Sequence, residues 1–190
     1  MFETMKKIIL FLFAVAFFAM NSNAQWGVKA GYTMSKSTGS DARFMPAFYV
    51  GGFYDIKASE HFYIQPQLLF SAEGSKYRQG GTTYMTTHAY FAELPVLASY
   101  RIELCKSSRL NFNVGPYVSL GLFGKTKYGG IEENTFHSGV ERVDYGAKAG
   151  IDYEIGHFVY SLMYKQGLQS FDIYGKGKSV GLSAGVGYKF

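Results

Sequence analysis

Residues 180–190 alternate without interruption. Val180, Leu182, Ala184, Val186, Tyr188 and Phe190 stand at one parity, and Gly181, Ser183, Gly185, Gly187 and Lys189 at the other. Successive side chains of a β-strand point to opposite faces, so a period of two marks a strand with one apolar and one small or polar side. The pattern recurs along most of the chain, and no helical period is visible after residue 24. Such a chain must hide the apolar side of every strand, either around a dry core or against lipid.

Eight segments carry this alternation. The first has Trp26, Val28, Ala30, Tyr32 and Met34 on one face, and the second covers about residues 48–56 through Val50, Gly52 and Tyr54. The third sets Phe62, Ile64, Pro66, Leu68 and Phe70 against Tyr63, Gln65, Gln67, Leu69 and Ser71. The fourth and fifth occupy about residues 90–101 and 110–122, the sixth and seventh about 143–154 and 158–165, and residues 180–190 form the eighth. Pro66, Pro95 and Pro116 each lack a ladder donor, which predicts bulges or strand ends at those positions. Connections alternate in length: residues 35–45, 74–87, 124–141 and 170–178 are long, whereas residues 57–60, 103–108 and 155–157 are short. With both termini on the periplasmic side, every long loop falls outside the cell, as in bacterial outer-membrane barrels.

Alternation by itself does not say which face looks inward, since a lipocalin-like barrel would bury the apolar one. Large rings sit at both ends of several apolar faces: Phe62 and Phe70, Tyr90 and Tyr100, Tyr145 and Tyr153. At about 3.3 Å per residue and a tilt near 40°, these pairs stand roughly 20 to 25 Å apart along a membrane normal, the height of an apolar band between two aromatic girdles. The opposite faces are rich in glycine and serine, which suits the narrow interior of an eight-stranded barrel. The expectation is an all-β, eight-stranded antiparallel up-and-down transmembrane β-barrel over residues 25–190.

The N-terminus agrees with export. A short basic stretch ending at Lys7 precedes an apolar run over residues 8–20, and Ser22-Asn23-Ala24 supplies small residues for cleavage. Residues 1–24 therefore read as a cleaved signal peptide, too short and wrongly flanked for a spanning helix. The predicted location is the outer membrane of a Gram-negative bacterium. Mean hydropathy is −0.04, a value that does not disfavour a barrel, because half of every strand is polar. The single Cys105 excludes an internal disulfide and reads as a turn residue. Net charge is +5, of which the leader holds +1 through Glu3, Lys6 and Lys7. The remaining excess is scattered rather than gathered into basic runs, which argues against nucleic-acid binding.

Several stretches resemble a known family. Residues 62–77 (FYIQPQLLFSAEGSKY) are similar to the third strand of PorT-like outer-membrane β-barrel proteins. Glu93-Leu94-Pro95-Val96-Leu97 and Asn113-Val114-Gly115-Pro116-Tyr117 resemble strands four and five, and the likeness covers essentially the whole mature chain. It implies the barrel fold and brings no shared catalytic motif. Because the namesake is linked to a protein-secretion apparatus, the resemblance also implies an accessory part in such an apparatus as one possible role.

Charges at the inward parity are the first candidates for function: Glu73, Glu93, Arg101, Asp144, Lys148, Asp152, Glu154 and Lys165. Mixed signs inside a narrow barrel form a self-satisfied plug in one reading, and line a narrow passive channel in the other. In the long loops, Arg78, Tyr84, Lys125 and Lys127 mix cations with aromatics, a composition suited to ligands or to lipopolysaccharide phosphates. Enzyme chemistry lacks a basis: His88 shares the lipid-facing parity with Tyr90, and no serine joins it on that face. Gly175-Lys176-Gly177-Lys178-Ser179 departs from a phosphate-binding loop, with Asp172 where the first glycine belongs and a strand in place of the helix. Glu132-Glu133 reads as a solvated loop tip, and no spacing suggests a metal site. The sequence thus points to a non-enzymatic barrel without cofactor, structural or surface-binding through its loops. Its expected partners are outer-membrane lipid, lipopolysaccharide and the barrel-assembly machinery, the last through the strand ending at Phe190.

Overall fold

In hydrocarbon each unpaired backbone group costs several kcal/mol, so strands can cross a membrane only when their sheet closes on itself. The computed structural model meets that requirement. It describes residues 25–37, 42–79, 82–128, 131–135, 142–170 and 178–190; the expected leader and most of the fourth long loop lie outside them. The strands are β1 (Gln25–Ser37), β2 (Ala42–Lys57), β3 (Phe62–Gln79), β4 (Thr82–Cys105), β5 (Ser108–Tyr128), β6 (Ile131–Asn134), β7 (Val143–Ile155), β8 (Phe158–Ser170) and β9 (Lys178–Lys189). Eight of them form a closed ring in the order β1-β2-β3-β4-β5-β7-β8-β9, with β9 pairing back onto β1. Every pairing is antiparallel. The short β6 stands outside the ring, paired to residues 125–128 of β5.

Closure runs from Gly27 opposite Lys189 to Ser37 opposite Ser179. The Phe190 N–H donates to the Trp26 carbonyl at 3.0 Å, and the two rings stack with centroids 3.9 Å apart. Tight approach of β1, β9 and the Tyr49 ring depends on glycine: a Cβ at Gly31 would stand 2.8 Å from Tyr49 Cε1, and one at Gly185 would stand 2.6 Å from the Ala30 carbonyl.

The barrel is apolar outside and polar inside. Val114 is 57 % exposed on the outer wall, and Val50, Leu68, Val118, Ile151, Leu162 and Val186 are exposed with it. Two aromatic belts bound this surface. Phe62 meets Tyr100 at 5.0 Å near the short turns; Phe70 meets Tyr90 at 5.7 Å, with Phe123 4.7 Å from Tyr90, near the long connections. The sequence-derived belts are thus both present.

Strand lengths differ from the expectation. β4 has 24 residues and β5 has 21, against 13 each in β7 and β8. Residues 74–87, read from sequence as a loop, continue as paired strand out to Gln79 opposite Thr82. Glu132 and Glu133 lie on β6 rather than at a loop tip. Beyond the aromatic belt both faces of a ribbon meet water, so pairing persists where apolar alternation has no reason to continue.

The prolines also depart from the prediction. Pro66, Pro95 and Pro116 are mid-strand and cause no bulge: register is unchanged between Phe53 opposite Gln67 and Ile56 opposite Ile64, with two residue pairs skipped between them. The same skip without a shift occurs at Pro95 in the β3–β4 ladder and at Pro116 in the β4–β5 ladder. Each proline removes one donor, and the neighbouring bonds hold the register. Pro46, by contrast, falls within the bulged stretch between Phe44 and Tyr49. Another bulge, at Leu122–Phe123, lets both residues face outward and returns Gly124 to the interior.

Candidate functional site

The interior gathers every inward charge anticipated from sequence. Glu73, Glu93, Asp144, Lys148 and Lys165 form one group, and Arg101 and Glu154 join a second nearer the short turns. Asp152 lies buried between them. Lys29, Asp55 and Lys189 complete the set and were absent from the predicted one, although each sits at inward parity between two apolar neighbours. Among the described residues, six acids (Asp55, Glu73, Glu93, Asp144, Asp152, Glu154) share the interior with five cations (Lys29, Arg101, Lys148, Lys165, Lys189), and Arg109 and Glu103 form a pair at the rim.

The first group ties distant walls together. Glu93 on β4 accepts from Lys148 on β7 and lies 3.1 Å from Lys165 on β8. Lys165 also donates to Glu73 on β3, the strand diametrically opposite β8 in the ring. The Tyr117 hydroxyl donates to Asp144 at 2.7 Å, and the Lys165 ammonium stands 4.7 Å from the centre of the Tyr117 ring. This lysine–carboxylate pair therefore crosses the full diameter of the barrel.

The second group repeats the motif. Asp55 on β2 pairs with Arg101 on β4 at 2.6 Å and with Lys189 on β9 at 2.9 Å, and accepts from Gln65 at 2.7 Å. Lys189 continues to Glu154 on β7 at 2.5 Å, where Arg109 joins at 3.4 Å. Arg101 lies 3.7 Å from the ring centre of Tyr63. Apolar side chains fill much of what remains, among them Phe53, Leu69, Phe91, Leu97 and Met163, all buried. A pocket of about 30 Å³, lined by Lys29, Ser71, Glu93, Lys148 and Lys165 among others, interrupts this filling. That is the space of roughly two waters.

The four residues assigned to loops are on strands instead. Arg78 belongs to β3 opposite Thr83, and Tyr84 to β4 at the register shift beside it. Lys125 and Lys127 belong to β5, opposite His88 and Thr86. All four sit on the extension beyond the upper aromatic belt, with β4 lying between Arg78 and the two lysines. Cys105 ends β4 and is exposed, its Sγ 2.8 Å from Ser108 Oγ. His157 bonds the Lys189 carbonyl at 2.9 Å in a short turn. Among the described residues no three His, Cys, Asp or Glu side chains are grouped as a metal site.

A family model agrees with this architecture. The family described as "Outer membrane protein beta-barrel domain" matches residues 18–172. Among solved structures, the chain is similar to Ail, the attachment invasion locus protein of Yersinia pestis, at 15 % identity and TM-score 0.47, covering 88 % of this chain and 99 % of that one. It is similar to Neisserial surface protein A at 15 % identity and TM-score 0.49, covering 88 % and 97 %. It is also similar to OprG of Pseudomonas aeruginosa at 11 % identity and TM-score 0.48, covering 88 % and 96 %. No curated protein matches the sequence.

Proposed function

The chain belongs to the outer membrane protein β-barrel domain family, and on that premise we propose that it is a non-enzymatic barrel, sealed by its own ion pairs, that acts through its long-loop end. The observation that carries this reading is the cross-lumen bridging. Glu73–Lys165 spans the diameter, Glu93 links Lys148 to Lys165, and Asp55 links Arg101 to Lys189. An eight-stranded barrel has an interior just wide enough for side chains to fill, so two such layers in series close it. The asymmetric extension of β3, β4 and β5 favours a surface role: at about 3.3 Å per residue, the excess of β4 over β7 corresponds to roughly 35 Å of strand.

Planar-bilayer recording tests the seal. The folded protein is expected to give no reproducible single-channel steps. Steps of constant amplitude that change when Glu93 is substituted would replace this reading with the narrow passive channel. The pocket of about 30 Å³ beside Lys29 is the feature that favours that second reading. A part in a protein-secretion apparatus rests on the family resemblance, and co-purification with export components from membranes is its test.

A further inference from the structure

We propose that the ionic group nearer the long loops holds one alkali cation, seated between Asp144 and the Ser179 carbonyl against Gly167. The inference adds a ligand to that group and stands whether the lumen is sealed or conducts. Charge is the first observation. In the group nearer the short turns, Asp55 and Glu154 are matched by Arg101 and Lys189. Between the groups, Asp152 is the charge that acts most strongly on Lys29. Three carboxylates then remain, Glu73, Glu93 and Asp144, against the two ammonium groups of Lys148 and Lys165. Lys148 is taken by Glu93, and Lys165 lies nearer Glu73 and Glu93 than Asp144, whose Oδ2 it approaches only to 3.9 Å. Among the described residues this buried group is one positive charge short, and a buried carboxylate without a counter-charge is costly.

An orphaned oxygen marks where the missing charge belongs. Asp144 is 1 % exposed and its Oδ2 accepts from Tyr117, yet its Oδ1 has no hydrogen-bond partner. The nearest hydroxyl across the β5–β7 ladder, that of Ser119, does not serve it, and the Ser119 Oγ is itself unpartnered. Oδ1 looks instead towards a glycine. A Cβ at Gly167 would stand 3.2 Å from Asp144 Oδ1 and 3.1 Å from the Ser179 carbonyl oxygen. The absent side chain leaves a gap bordered by a carboxylate oxygen and a carbonyl with a second lone pair. Oxygen donors alone suit a hard cation. A deficit of one charge and a single free carboxylate oxygen suit a monovalent ion, since calcium gathers several carboxylates. Asp144 is the second residue of β7, directly after the third long connection, so an ion can reach it from the long-loop end.

The test follows the folded-to-unfolded ratio of the full mature chain by urea titration in vesicles of zwitterionic lipid. Sodium is exchanged for choline at fixed pH and ionic strength. Mobility of unheated against boiled protein first confirms the barrel, so a failure of the fold and a failure of the site look different. A ligand bound only by the folded form raises the ratio in proportion to its concentration, so wild type is expected to gain about tenfold for each tenfold rise in sodium above the dissociation constant. Asp144→Asn, which keeps the shape of the side chain, is expected to lose this response. Gly167→Ala keeps the carboxylate, fills the gap beside it and is expected to lose the response too, which keeps the test open should Asp144→Asn fail to fold. Glu60→Gln, exposed in a short turn, is expected to respond as wild type does. A wild-type ratio equal in sodium and choline overturns the proposal, as does an undiminished response in either lumen variant. A ratio that follows pH but not sodium overturns it in favour of a proton held by Asp144.

Discussion

Glu93→Ala is expected to lower the unfolding free energy of the lipid-embedded barrel by about 3–5 kcal/mol, the cost of removing one member of a buried ionic cluster. Glu93 is 2 % exposed and faces both Lys148 and Lys165. Its loss leaves Lys148 without its carboxylate and places two ammonium groups about a cavity with little water. Lys165 retains Glu73, so the penalty falls mainly on Lys148. The companion change Lys148→Ala should therefore restore part of the loss when combined with Glu93→Ala, since it removes the stranded charge. Urea titration of the folded fraction in vesicles measures both. A Glu93→Ala penalty below about 1 kcal/mol would mean that the cluster is water-filled and that its charges are not paired in a dry interior.

Val114→Arg should cost about 2–4 kcal/mol in the same assay, for the opposite physical reason. Val114 faces outward on β5 opposite Ala149, halfway between Val118 opposite Tyr145 and Leu110 opposite Tyr153. Those two tyrosines mark the belts, so position 114 lies at the bilayer midplane, where a lipid-facing arginine carries its largest penalty. Val28→Arg, nearer the belt formed by Trp26 and Phe190, should cost less, because the penalty falls towards the interface. Equal costs at the two positions would be inconsistent with a hydrocarbon band of this height.

The two-phase surroundings of a membrane barrel explain what could be read from the chain. Between the belts each strand has lipid on one side and a polar lumen on the other, so residues such as Lys29 between Val28 and Ala30, or Glu93 between Ala92 and Leu94, declare their face by parity. Past the belts water lies on both sides, and Thr82 to Thr87 carry no such contrast although all but Tyr84, at the register shift, are paired with β3. The bulge at Leu122–Phe123 was hidden because both residues are apolar and both face outward. Partnerships within the lumen were not legible either. Asp55 meets Lys189 only because β2 and β9 flank β1 in one register, with Gln25 opposite Asp55 and Gly27 opposite Lys189. That distance along the sequence exceeds anything a local pattern records.

The central claim is that valines, leucines and rings on the wall touch acyl chains while ions fill the middle. Its most direct test replaces Trp26 with phenylalanine, puts a single tryptophan at position 114, and reads fluorescence in vesicles whose lipids are brominated near the chain centre. Strong quenching by those lipids, and little by aqueous iodide, is the expected result. Fluorescence indifferent to the brominated lipid would contradict the account, because position 114 would then face away from the bilayer.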